Sequence, residues 1–155
     1  MKFLSIIALF LTLSAQAWAA LPDRYVVVPN RSDSSLTLVA TPQGTVLQKV
    51  TEQDTGFAFE PLYAASLPRF HMVSVSDRKN SRLLFFDSRD FRYLGHVPTS
   101  QGLFHMWPTP EQKEILVSAD IDRVVDVVEI NRFNDQVVFK KRQLNPGALF
   151  SSGKP

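Results

Sequence analysis

The chain has 155 residues, 45% of them hydrophobic, a net charge of +2 and no cysteine. Without cysteine there can be no disulfide framework, thiolate-ligated zinc, CxxCH haem attachment or lipidated N-terminal Cys. Acidic and basic residues are interspersed, with no basic stripe and no motif of a nucleic-acid reader, so no nucleic-acid partner is expected.

Met1-Lys2-Phe3 opens the chain with one positive charge, and an apolar run follows to about Ala15. Ala17-Trp18-Ala19 then supplies the small-x-small pattern that a signal peptidase reads. Residues 1–19 are therefore expected to be a signal peptide, and 20–155 a single exported domain, periplasmic or secreted. The apolar run falls short of the roughly 20 residues that a membrane span needs. No later stretch is apolar enough to cross a bilayer. Loss of Lys2 leaves a mature charge of about +1.

Beyond the leader, short apolar runs recur. Tyr25–Val28, Leu36–Val39 and Thr45–Leu47 come first. Met72–Val75, Leu83–Phe86 and Tyr93–Val97 follow, and then Ile115–Ser118, Val125–Val128 and Gln136–Phe139. They are rich in β-branched and aromatic residues, bounded by Asp, Asn, Ser, Gly and Pro, and too short to compete as helices. Asn30, Asp77 and Asp120 end the first run of each set. An Asx side chain there can bond the backbone two residues on. Three glycine-led segments punctuate the sets at about 46 and 45 residues: Gly56–Phe59, Gly102–His105 and Gly147–Phe150. Four strands per roughly 45 residues is the period of a β-propeller blade. The expected fold is all-β, with four-stranded antiparallel blades in an incomplete ring of about three. An ordinary sandwich is the competing architecture.

The segments YVVVPN…SSLTLV, HMVSVSDRKNSRLLFFD and ILVSADIDRVVDVVEIN resemble the YVTN-type β-propeller repeat, over nearly all of the chain from Tyr25 onward. That family includes relatives of the cytochrome d1 haem domain and of lactonase propellers. No copy spells YVTN. The turn resembling SPDGK is Pro108–Glu114 in one copy and Ser151–Lys154 at the end, and in the first copy it would fall within Glu60–Pro68. The resemblance implies the blade architecture and transfers no activity, because function lives in sites grafted on folds.

The glycine-led strand is expected to be innermost, which makes Phe59, His105 and Phe150 equivalent. His105, His96 and Trp107 are the candidate ligand-binding residues. His105 stands as an imidazole where the other copies carry a phenyl ring, and it serves either as a channel-lining group or as a packed aromatic. Trp107, with Phe104 and Phe91, offers a sugar- or peptide-stacking surface. His71 opens another strand. A metal site of His105 with Glu60 or Asp120 has no support from spacing. The charged turn Asp87–Arg92 and the Arg123 turn are expected to be solvated. No catalytic residue, metal site or cofactor is assigned: no G-x-S-x-G elbow and no glycine-rich phosphate loop occurs.

Two functions follow. One is an exported, non-enzymatic module binding an unknown protein or small molecule. The other, by analogy with the family, is an enzyme or a tetrapyrrole or metal carrier. An inactive fragment of a longer propeller is a third reading. Three blades do not close a ring, whereas two chains joined head to tail would make six.

Overall fold

The computed structural model describes residues 21–22, 24–133 and 136–144. The leader at 1–19, the segment Gly147–Phe150 and the turn Ser151–Lys154 lie outside the described residues. Three antiparallel meanders follow one another along the chain. The first contains β1 (Tyr25–Asn30), β2 (Ser35–Ala40) and β3 (Val46–Val50). The second contains β4 (Pro61–Leu67), β5 (Met72–Asp77), β6 (Arg82–Asp87) and β7 (Tyr93–Pro98). The third contains β8 (Leu103–Pro108), β9 (Glu114–Ala119), β10 (Val124–Phe133) and β11 (Gln136–Leu144). These are the blades of a β-propeller. The first lacks an inner strand among the described residues, as the order of the runs implies.

Each blade turns between its second and third strands through a residue in the left-handed region: Ser34 at φ 54°, Ser81 at φ 50° and Arg123 at φ 56°. The turns give an internal register. Asn30 faces Ser35, Asp77 faces Arg82 and Ala119 faces Val124. Blades 1 and 2 are thus 47 residues apart and blades 2 and 3 are 42, against the 46 that separate Gly56 and Gly102. The Asx bonds anticipated at the ends of these strands form elsewhere. Asp87 and Asp90 each accept from the peptide N–H two residues on, at 2.9 and 3.0 Å. Asp77 accepts instead from the Glu60 N–H, Asn80 and Arg82.

The inner strand of blade 2 is where spacing misleads. Gly56–Phe59 forms no strand, and Glu60–Pro68, read as a turn, contains β4. The reason lies just upstream. Thr51 and Asp54 make a reciprocal capping box around a single helical turn, α1 (Glu52–Thr55), and Gly56 closes it at φ 81°. One turn carries no apolar periodicity, so it reads as a polar loop. Gly56 is a helix cap, whereas Gly102 leads directly into β8, and the two glycines are not equivalent. His71 likewise does not open a strand. It ends the tight turn Pro68–Phe70 in the left-handed region, at φ 51°.

Two apolar cores lie between the blades. One packs Leu36, Leu38 and Val50 of blade 1 against Val73, Val75, Leu84 and Phe86 of blade 2. The other packs Leu83, Phe85 and Val97 against Met106, Ile115, Val117 and Val128 of blade 3. Phe85 stacks on Phe139 at 4.0 Å across the second core. Blade 2 is covered on both faces, so β5 is buried along its whole length. The flanking strands β1 and β9 alternate in burial because only one face is covered. Each fully buried Val, Leu or Phe contributes about 1.5–3 kcal/mol.

Polar staples fix the blades to each other. Arg78, from the β5–β6 turn, donates to the Gly102 and Leu103 carbonyls at 3.0 and 2.9 Å and to both Asp120 oxygens at 3.1 Å. Within the Asp87–Arg92 turn, Asp87 is 1% exposed and not solvated. It accepts from the Arg89 guanidinium at 2.9 and 2.6 Å. The turn is tied down because Asp87 ends a strand whose two faces are both covered, while Asp90 and Arg92 remain at the surface, 3.8 Å apart.

Candidate functional site

The inner strands β4 and β8 are both bulged at the same place. Register breaks between Pro61 and Ala64 in one and between Leu103 and Met106 in the other. A serine on the next strand fills each break. Ser76 Oγ accepts from the Tyr63 N–H at 2.8 Å, and Ser118 Oγ accepts from the His105 N–H at 3.0 Å. Bulges re-aim side chains. The matching bonds make Tyr63, not Phe59, the counterpart of His105. Phe59 is a core residue at 1% exposure.

The bulges bring these two rings together across the blade boundary, with centroids 4.8 Å apart. Phe104 meets His105 edge-on at 4.2 Å, and Trp107 lies 5.4 Å from it. Tyr63 and Phe104 are perpendicular at 6.0 Å. The Arg78 guanidinium sits 5.7 Å from the Phe104 centroid, within cation–π range. Phe104 is 39% exposed and Trp107 52%, and His105 is half-buried. The result is a shelf of four rings with one fixed cation, suited to stacking on a flat or ring-shaped ligand.

Of the sequence candidates, His105 and Trp107 meet here. His96 does not. It lies exposed on the outer strand β7, sharing a 2.7 Å hydrogen bond through Nδ1 with the Tyr93 hydroxyl and facing Phe57 edge-on at 6.2 Å. Burial raises the Tyr93 phenol above its ordinary range, against the lowering effect of Arg82. Phe91 is not a surface ring: it is fully buried and stacks on Phe86 at 4.8 Å. Glu60 is paired with Arg31 at 2.7 Å and Asp120 with Arg78 at 3.1 Å, so each carboxylate already has a cationic partner. Among the described residues no three His, Cys, Asp or Glu side chains converge on a metal position. Nor is any helix among them long and apolar enough to cross a membrane.

Tyr63 and Arg78 are the members that sequence reading misses. Tyr63 sits in the stretch read as a turn. The signal available for it was Ser76 and Ser118, one at the equivalent place in each blade, which fixes the register once the hairpins are aligned.

No protein-family model and no curated protein matches the sequence. Solved structures do match in fold. A protein described as a 6-phosphogluconolactonase from Bacteroides uniformis aligns with a TM-score of 0.65 at 15% identity, over 78% of this chain and 37% of its own. A dihydro-haem d1 dehydrogenase aligns with a TM-score of 0.58 at 15% identity, over 76% of this chain and 31% of its own. The β-propeller domain of a Myceliophteria thermophila protein aligns with a TM-score of 0.57 at 18% identity, over 76% and 41%. The chain thus spans between about a third and two fifths of the length of these structures. Identities this low speak for the fold alone, a segment of a β-propeller of the kind found in lactonase-like and haem d1 proteins.

Proposed function

We propose that this chain is an exported, non-enzymatic binding module of the YVTN-type propeller family, which holds a ring-shaped small molecule or an aromatic side chain of a partner protein. The observation that carries the reading is the ring shelf of Tyr63, Phe104, His105 and Trp107, built on adjacent bulged strands with two rings left partly exposed. Such a surface gives affinity by stacking without any group that must change protonation. The His105 ring packs against Tyr63, Phe104 and Trp107, which supports a stacking role for it. Export is supported by Lys2, the apolar run and Ala17-Trp18-Ala19. Isothermal titration of the mature protein with a sugar lactone and with haem tests the reading. Saturable binding that His105→Ala weakens supports it, and heats indistinguishable from dilution for both probes count against it.

The likeness to lactonase-like and haem d1 propellers favours a second reading, an enzyme or a cofactor carrier. A Soret-type band or stoichiometric metal in protein purified from its own host would favour that reading. A third reading, a fragment of a longer propeller without activity of its own, rests on the share of the matched structures that the chain spans.

A further inference from the structure

Lys79 has no task in the blade-to-blade staples that surround it. Arg31 and Arg78 open equivalent turns, directly after Asn30 and Asp77. Each crosses to the following blade. Arg31 pairs with Glu60 at 2.7 Å, and Arg78 holds Asp120 and the Gly102 and Leu103 carbonyls. Lys79 comes next in the chain, is exposed, and makes neither an ion pair nor a hydrogen bond among the described residues. It lines a cavity of about 430 Å3 together with Glu60, Arg78, Ser81, Gln101 and Ile121. The Ser81 hydroxyl and the Gln101 side-chain amide likewise make no hydrogen bond among the described residues. Arg78 spends Nη1 and Nη2 on its staple, which leaves its Nε–H as a further donor.

The cavity adjoins the ring shelf through Arg78, whose guanidinium lies 5.7 Å from the Phe104 centroid. The two carboxylates beside it are already neutralised, Glu60 by Arg31 and Asp120 by Arg78. Asp122 accepts from the Gln101 N–H at 2.7 Å and does not line the cavity. Lys79 is thus the surplus charge of the lining, set among hydrogen-bond donors. We infer that the ligand of the shelf carries an anionic group, a carboxylate or a phosphate, on a short arm from its ring, and that Lys79 and the donors around it receive that group. The inference rests on the shelf being the binding site and adds the charge of the ligand to that reading. Stacking on Phe104 supplies affinity, and the anion supplies orientation, because only one end of the ring then meets the cation. An ammonium acts as a point charge, so it serves the oxygens of either group.

Isothermal titration of the protein with three matched probes provides the test: naphthylacetate, naphthyl phosphate and the neutral naphthylacetamide. At low ionic strength at least one of the two anions should bind about tenfold more tightly than the amide. Whichever anion shows the larger preference identifies the group, and added salt should shrink the preference. Lys79→Gln should bring the three probes level. The side chain is exposed, so circular dichroism should show the variant folded. Lys140→Gln makes the same charge change on the exposed surface of the outer strand β11 and should keep the preference. Equal affinity of the wild type for all three probes would overturn the inference and leave the shelf standing. A preference that survives Lys79→Gln, or one that Lys140→Gln also abolishes, would overturn it too. Binding of none of the three would count against the shelf and the inference together.

Discussion

Two glycines stand at the start of the segments that made the repeat visible, and the structure gives them unequal jobs. Gly102→Ala and Gly56→Ala place a Cβ on residues with nearly the same backbone, φ +79° and +81°. The left-handed conformation costs an L-residue about 1 kcal/mol in each. At Gly56 nothing lies within 4 Å of the new carbon. At Gly102 it would overlap Asp120 Oδ1 and lie 2.5 Å from the Ile121 backbone nitrogen and 2.7 Å from Ile121 Cγ1. The backbone cannot drift away freely, because the Gly102 carbonyl accepts from the Asp120 N–H at 2.9 Å and from Arg78 at 3.0 Å. Overpacking of this kind adds about 1–3 kcal/mol. Gly102→Ala is therefore expected to lose about 2–4 kcal/mol and Gly56→Ala about 1 kcal/mol. Urea unfolding followed by circular dichroism reads the difference as a lower midpoint at unchanged slope. Equal losses in the two variants would refute the distinction between a helix cap and a strand lead.

The Tyr25 phenol donates to the Ser88 carbonyl at 2.7 Å, and burial, reinforced by the Asp87 and Asp90 charges, pushes it up to about 12. The unfolded chain loses that proton first, near pH 10. The stabilisation is therefore complete below pH 10 and is lost between pH 10 and 12. After allowance for a half-exposed site it is about 1 kcal/mol. Tyr25→Phe should cost about 1 kcal/mol at pH 7 and draw level with the wild type in thermal melts near pH 12; a constant gap would contradict this. His105→Phe should change stability by less than about 1.5 kcal/mol, because the bond to Ser118 comes from the peptide N–H; unfolding of the variant by calorimetry would mean that the ring contacts are misplaced. Mass spectrometry of exported protein should give an N-terminus at Ala20, and a retained Met1 would remove the argument for a leader.

Strands two to four of each blade were legible because they alternate β-branched and aromatic residues between turn-formers, a local signal. The inner strand was legible in blade 3, where Gly102 sits directly before β8, and illegible in blade 2. There a one-turn helix with a glycine cap imitates the same pattern four residues early, and prolines at both ends of β4 read as loop. That single displacement paired His105 with Phe59 in place of Tyr63. It hid half of the ring shelf, since the Tyr63–His105 contact depends on two bulges lining up across a blade boundary. His96 failed as a candidate for a related reason: sequence gives its strand but not how far the outer strand stands from the inner one. The burial of Asp87 was likewise beyond reach, because a charge cluster at a turn looks the same whether or not its blade is covered on both faces.

The central claim, a ring-binding shelf, is tested most directly by fluorescence. Trp18 and Trp107 are the two tryptophans of the chain, so after cleavage at Ala20 emission comes from Trp107 alone. Trp107 is 52% exposed and lies 5.4 Å from the His105 ring. Titration of the mature protein with haem and with a sugar lactone should give a saturable change in Trp107 emission for at least one probe. Phe104→Ala should raise its dissociation constant about tenfold, the equivalent of one lost stacking contact. Emission that stays constant with both probes, or an affinity that Phe104→Ala leaves unchanged, would contradict the account.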